Sequence, residues 1–355
     1  MLYKKDWLES CELFNAWWEA ETNKPLVQVT APKTGHENIH AWLNWGFARE
    51  PENPEKTVNA FECWCSKMFF GGSAFPDLWI NLGPGIVAAY VGAEARYRCD
   101  SETVWFETPK TWEELERLEF DPKNKWWLIT KNLTSFVTKR SEGKFMVGIT
   151  DLGGITDIVA SLRGSQTLVV DMFRSPEKVK NLSRRILDIW HICYEELYRL
   201  SGGPKRGNSA WMGLWAPKRW YPIQCDFAAM LSPKLFKELA LPFIKEQCVR
   251  LDYTIYHLDG PKAIPHLDHL LSIPELDGIQ WTPGEGNPSV DSSKWFPLYR
   301  KIQKSGKRLV LLGASRKRVK PLLKILRPDG LLIRTWCPTE NEARDLLNEL
   351  KFLDE

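Results

Sequence analysis

The chain has 355 residues, 43% of them hydrophobic and 26% charged, the profile of a folded globular protein long enough for one barrel-sized domain. A formal net charge of +3, with no Lys/Arg block interleaved with aromatics, gives no footprint for nucleic acid. No apolar stretch approaches the ~20 residues needed to cross a bilayer, so no membrane partner is expected either.

The N-terminus, "MLYKKDWLESCELFNAWW", lacks the apolar core and small-residue cleavage site of a secretory signal. The eight cysteines are scattered, without a CxxC pair, which suggests reduced thiols and a cytoplasmic protein. Cys63 and Cys65 fall in a helical pattern, where i and i+2 face apart, so they are not read as a metal pair. Eighteen tryptophans are the oddity of the composition. Packing is their default role, and an aromatic wall around a ligand is the alternative.

Short apolar runs rich in β-branched residues alternate with helical patterns along the chain. They predict strands at 26–30 (LVQVT), 77–81 (DLWIN), 145–150 (FMVGIT) and 221–225 (YPIQC). Four more follow at 253–257 (YTIYH), 277–281 (DGIQW), 308–312 (RLVLL) and 330–334 (GLLIR). Ser175-Pro176 and Ser232-Pro233 mark helix starts, with a capping side chain before a proline at the first helical position. Pro242 should break the helix begun at Pro233. Thr339 and Glu342 form a capping box before a helix with Leu346, Leu347 and Leu350 on one face. "RKRVKPLLK" (316–324) reads as the solvated face of another helix.

Eight strands alternating with helices predict an α/β fold, a (β/α)8 TIM barrel with long loop insertions forming a single domain over 1–355. An open doubly wound sheet competes, but neither G-x-G-x-x-G nor G-x-x-x-x-G-K-[ST] occurs. Residues 84–143 are a long insertion, read as a helix, a small hairpin around "RYRCDSETVWFE" and another helix. The Gly- and Trp-rich stretch 200–220 has no helical period. Simple topology would start it at the mouth opposite the site, free to wrap the barrel or meet a partner subunit.

Active sites of such barrels form at the carboxyl ends of the strands. Those ends carry Asn81, Asp151, Cys225, Asp226, His257, Asp259, Gln280 and Cys337, nearly all able to ligate, hydrogen-bond or titrate. His257 and Asp259 stand two apart at a strand end, so both point to one side. His266 and His269 follow in "IPHLDHLLSI", opposite the apolar stripe Ile264, Leu267, Leu270 and Leu271, and read as surface residues. His257, Asp259 and Cys337 supply nitrogen, oxygen and thiolate, an open ligand set for zinc that leaves a fourth position for substrate. A bound thiol would be held there as thiolate, which makes sulfur a methyl acceptor.

"IQCDFAAMLSPKLFKELALPFIKEQ", "YHLDGPKAIPHLDHLLSIPELDGIQWTPG", "GITDLGGITDIVASLRGSQTLVVDM" and "FFGGSAFPDLWINLGPGIVAAYVGAE" together resemble the uroporphyrinogen decarboxylase superfamily. That resemblance implies a barrel and either cofactor-free decarboxylation or zinc-dependent methyl transfer between corrinoids and thiols, and it points to a homodimer. The decarboxylases grip their substrate with an arginine-rich loop after strand one. Here the loop is "APKTGHENIH", the first arginine of the chain is Arg49, and Asn81 stands where an aspartate is expected. The methyltransferases bind zinc through His-x-Cys and a C-terminal cysteine. His257 and Cys337 match, and Asp259 replaces the second ligand.

The resulting expectation is a zinc methyltransferase with His257, Asp259 and Cys337 as ligands. Asp151, Asp226 and Gln280 would handle protons or orient substrate, with Asn81, Cys225 and Trp281 lining the pocket. The substrate is a small molecule. A corrinoid would come on a separate protein, since no D-x-H-x-x-G motif is present. The alternatives are a metal-free decarboxylase or lyase acting on a smaller acid, and a non-catalytic ligand-binding relative.

Overall fold

A computed structural model describes residues 1–98, 100 and 102–351. Its strands are β1 (Leu26–Pro32), β2 (Met68–Gly72), β3 (Ala95–Arg98), β4 (Thr103–Phe106), β5 (Gly148–Ile149) and β6 (Asn208–Ala210). They continue as β7 (Trp215–Ala216), β8 (Trp220–Gln224), β9 (Tyr253–Asp259), β10 (Gly278–Thr282), β11 (Arg308–Ser315) and β12 (Leu331–Trp336). Seven make one sheet in the order β2-β1-β12-β11-β10-β9-β8, parallel throughout except for β2, which runs antiparallel to β1.

Six of the eight expected strands lie in this sheet, and the expected closed ring is not formed by its ladder. The free edge of β1 is taken by β2, a strand absent from the sequence reading, through register pairs from Gln28–Gly72 to Pro32–Met68. The other two expected strands pair with each other. Leu78 and Ile80 donate to Met146 and Gly148 at 3.0 and 3.2 Å, and β5 then takes β6 in parallel register. The fold is therefore mixed α/β around a large, mostly parallel sheet.

The helical punctuation follows local chemistry. Ser232 Oγ accepts from the Leu235 amide at 3.3 Å and Thr339 Oγ1 from Glu342 at 3.2 Å, whereas Ser175 makes no side-chain cap. Helices Pro233–Leu239 and Leu241–Arg250 meet at Ala240, the break that Pro242 imposes. The hairpin β3–β4 lies where the sequence placed it, its Cys99 and Ser101 falling outside the described residues. Tryptophan serves mainly as packing. Trp17, Trp18, Trp190, Trp220 and Trp281 are fully buried. The indoles of Trp18, Trp190 and Trp220 each donate to a backbone carbonyl within 3.0 Å, which removes the cost of burying an unpaired N–H.

The 200–220 stretch is an interior element, not a wrap around the outside. β6 and β7 form a hairpin whose tip is held by a half-buried arginine from the sheet. Arg334 donates through Nε to Gln28 Oε1 at 2.7 Å and through Nη2 to the carbonyls of Met212 and Gly213 at 2.8 and 2.7 Å. Gln28 and Arg334 are register partners, so they share a sheet face. Burial holds Arg334 down to about 10, which still leaves it cationic at neutral pH. Asp77, bonded by Ser209 Oγ at 2.8 Å, is pushed up to about 7 by burial, against the pull of Ser209 and Arg334.

Among the described residues no helix is long and apolar enough to cross a membrane.

Candidate metal centre

The register of the parallel strands brings the polar residues of the site together. Gln224, His257 and Gln280 sit side by side on β8, β9 and β10, and register partners in a sheet share one face. Two residues further along β9 comes Asp259, on the same face by the alternation of strand side chains. Asp226 follows β8 as the first residue of the short helix Asp226–Met230. The ligand atoms of Asp226, His257 and Asp259 lie within 4.8 Å of one another, and this is the one such group of three or more His, Cys, Asp or Glu among the described residues.

Two of the three residues are fixed by neighbours. His257 Nδ1 bonds the side-chain oxygen of Gln280, whose own Nε2 donates to Thr282 Oγ1 at 2.8 Å. An amide oxygen only accepts, so Nδ1 carries the proton and Nε2 keeps its lone pair. Burial lowers the His257 pKa, against the pull of Gln280 and Asp259, which keeps the ring neutral. The edge of His257 meets the Trp211 ring at 5.2 Å and 90°, so the tip of the β6–β7 hairpin packs against the site. Asp157, in helix Ile155–Arg163, accepts from the amides of Asp226 and Phe227 at 3.1 and 2.7 Å and thereby sets the start of the Asp226 helix.

Charge is concentrated and of one sign. Asp226 is open to solvent yet recessed; burial first and Asp259 second push it up to about 6. Asp157 and Asp151 are each pushed up to about 7 by burial, with Asp226 as their strongest charged neighbour.

The remaining expected residues divide. Asp151 accepts from the Gly153 amide at 2.9 Å and stands in the electrostatic reach of the triad. Cys225 is buried beside Asp157, its thiol pushed well up by burial. Asn81 is buried and spends its oxygen on the Gly83 amide at 3.0 Å, a turn-forming bond. Trp281 points away from Gln280 by alternation and packs on Trp295 at 4.9 Å, so it lines the helix layer and not a pocket at His257.

Cys337 does not join the triad. Two strands separate β12 from β9, and the buried thiol, pushed up to about 11, has Arg316 and Glu342 as its charged neighbours. His266, expected at the surface, is 1% exposed: it bonds the Ala228 carbonyl at 2.9 Å and stacks on Phe236. His269 is partly buried nearby, in the same aromatic stack.

Asp157 and Trp211 were not singled out by the sequence reading. The signal for Asp157 was present: "GITD" occurs twice within ten residues, ending at Asp151 and at Asp157.

No protein-family model matches this chain, and no curated protein is significantly similar to it.

The triad suits a divalent ion. It offers one neutral imidazole nitrogen and two carboxylates from two adjacent strand ends, with Asp226 open to solvent for further ligands. A third carboxylate, Asp157, stands directly behind Asp226 and adds to the negative potential there.

Proposed function

We propose that the chain is a metal-dependent group-transfer enzyme of the uroporphyrinogen decarboxylase-like kind, with Asp226, His257 and Asp259 holding zinc or another divalent ion. The observation that carries this is the convergence of three ligand atoms within 4.8 Å at the carboxyl ends of adjacent parallel strands. In this reading the eight expected strands are the staves of a barrel, with the hairpin β6–β7 as an internal plug and the site at its carboxyl mouth. The reaction is transfer of a methyl group to a thiol or other small acceptor, from a donor such as a methylated corrinoid carried by a separate protein. The bound ion would supply Lewis acidity and hold the acceptor in its anionic form near neutral pH. Of the chain's own groups, Gln280 orients His257, Asp157 orients Asp226, and Asp151 exchanges protons beside them. Seven described cysteines are unpaired, which fits work in a reducing cytoplasm.

One observation favours a second reading. Asp151, pushed up to about 7, is matched to proton transfer near neutral pH without any metal, as in a lyase or decarboxylase acting on a small acid.

Elemental analysis of untagged protein separates the two. About one equivalent of metal in the parent, and at least a tenfold loss in His257→Ala and Asp259→Asn, is expected of structured metal ligands. Cys337→Ala should keep its metal. A parent that takes up no divalent ion, with turnover indifferent to chelators, would sink the metal reading and leave Asp151 as the acid.

A further inference from the structure

The row that carries His257 contains a second glutamine with unused capacity. Gln224 on β8 and Gln280 on β10 flank His257 in register. Gln280 spends its oxygen on the imidazole and its nitrogen on Thr282. Gln224 is only 5% exposed, and its Oε1 has no hydrogen-bond partner in the protein. A buried amide oxygen left unpaired is unfavourable, so its persistence beside a cluster of ligands points to something that it meets when the site is filled.

The geometry limits what that is. Adjacent parallel strands lie about 4.8 Å apart, so a glutamine one strand over from a histidine, on the same face, reaches the space above the ring. Asp226 stands two residues further along the same chain, so Gln224 and Asp226 approach that space from one side while His257 and Asp259 approach from the other. The outward face of β8 is accounted for by its alternate residues. Tyr221 faces the helix layer, packing on Trp190, and its hydroxyl donates to the Thr150 carbonyl at 2.7 Å. Gln224 therefore points inward with His257.

We infer that Gln224 Oε1 is the fourth protein ligand of the ion held by Asp226, His257 and Asp259. This inference rests on the metal reading above. Amide oxygens are ordinary ligands for hard divalent ions, and the set becomes three oxygens and one nitrogen. Such a set accepts Co2+ and Mn2+ as well as zinc, with less preference for soft metals than a thiolate site has.

The probe is Co2+ alone, titrated into the full chain and followed by its visible absorption and by calorimetry. Gln224→Met keeps the side-chain volume and removes the oxygen; Gln224→Glu keeps an oxygen and adds charge. The expected result is at least a tenfold weaker Co2+ affinity with a changed absorption band in Gln224→Met, and a tighter affinity with a changed band in Gln224→Glu. An unchanged affinity and band in a folded Gln224→Met protein overturns the assignment while leaving the metal reading intact. If Gln224→Met does not fold, Gln224→Glu decides alone: an unaltered band and affinity, insensitive to pH, overturns it. A parent that binds no Co2+ overturns both the assignment and the reading beneath it.

Discussion

Replacing Arg334 by Met tests whether the β6–β7 hairpin is held by the sheet. The guanidinium serves Gln28 Oε1 through Nε and the carbonyls of Met212 and Gly213 through Nη2. Hydrogen bonds to a charged group contribute about 1.5–3 kcal/mol each, so the two donors together are worth about 3–6 kcal/mol. Gln28 Nε2 still reaches the Gly213 carbonyl at 3.1 Å, which places the expected loss toward the lower half of that range. Methionine replaces most of the apolar stem, so a cavity adds little.

A pH-dependent part adds to this. Asp77 titrates near 7 in the folded protein, against about 3.9 in an unfolded chain. Its raised pKa means that stability falls as pH rises from about 4 and stops falling above 7. Without the Arg334 cation the folded pKa moves higher. Below pH 7 Asp77 is protonated in both folded proteins and the difference vanishes. Above pH 7 the variant keeps losing about 1.4 kcal/mol per pH unit that the parent no longer loses. Urea unfolding should show a deficit of about 3–4.5 kcal/mol at pH 6.5 that grows by up to about 2 kcal/mol at pH 8.5. A deficit under about 1 kcal/mol, or one that is flat with pH, would refute the account of Arg334 as both tether and counter-ion.

Three further outcomes follow from named contacts. Gly213 has φ +66°, and a Cβ there would stand 2.6 Å from Arg334 Nη2, so Gly213→Ala should cost about 2–3 kcal/mol in thermal unfolding; an unshifted midpoint would mean the tip yields freely. His191 is lowered to about 4 by burial and by Arg250, so it folds neutral. The stability it forfeits on protonation is intact above pH 6.5 and is lost as pH falls toward 4, by up to about 3 kcal/mol; His191→Phe should flatten that limb of the stability curve, and an unchanged limb would clear His191 of the effect. Asp157→Ala should weaken Co2+ binding about tenfold by freeing the Asp226 helix, and Asp157→Asn, which keeps one acceptor, should restore part of it. Equal affinities for all three proteins would show that Asp226 needs no support.

Periodicity located strands better than it located their neighbours. Six of the eight expected runs are in the main sheet because each is a continuous apolar segment of parallel strand, which sequence marks strongly. Met68–Gly72 was missed because "MFFGG" ends in two glycines, a poor strand signal, and its place is fixed by long-range pairing with β1. The hairpin at 208–216 escaped for the same reason: nothing local shows that Arg334, over a hundred residues away, will hold its tip.

Strand ends told which residues meet only where they lie on adjacent strands. His257, Asp259 and Gln280 meet as expected from β9 and β10. Cys337 was grouped with them as a ligand type at another strand end and by the family resemblance, and two intervening strands keep it outside. His266 shows the opposite failure. It lies off the apolar stripe of its helix, yet Phe236 from another element covers it, and one-element periodicity carries no record of a neighbour.

The charge of the site selects among substrates. Asp151, Asp157, Asp226 and Asp259 crowd one end of the sheet, and Asp226 or Asp259 is the strongest charged neighbour acting on each of the first three. Two like charges about 6 Å apart repel by about 3 kcal/mol at an effective dielectric near 20, so each substrate carboxylate placed here would be costly. A divalent ion cancels only part of that field. The loop at 31–40 has no arginine, and its one lysine, Lys33, donates to the Ser66 carbonyl at 2.8 Å. On the proposed reading, polycarboxylated tetrapyrroles are therefore a poor fit, and a neutral or cationic acceptor a good one. With Co2+ bound, cysteamine should raise the melting temperature more than mercaptoacetate at equal concentration, and the gap should narrow in high salt as the field is screened. Mercaptoacetate matching or exceeding cysteamine at low salt would show that the carboxylates do not govern entry, and would return anionic substrates to consideration.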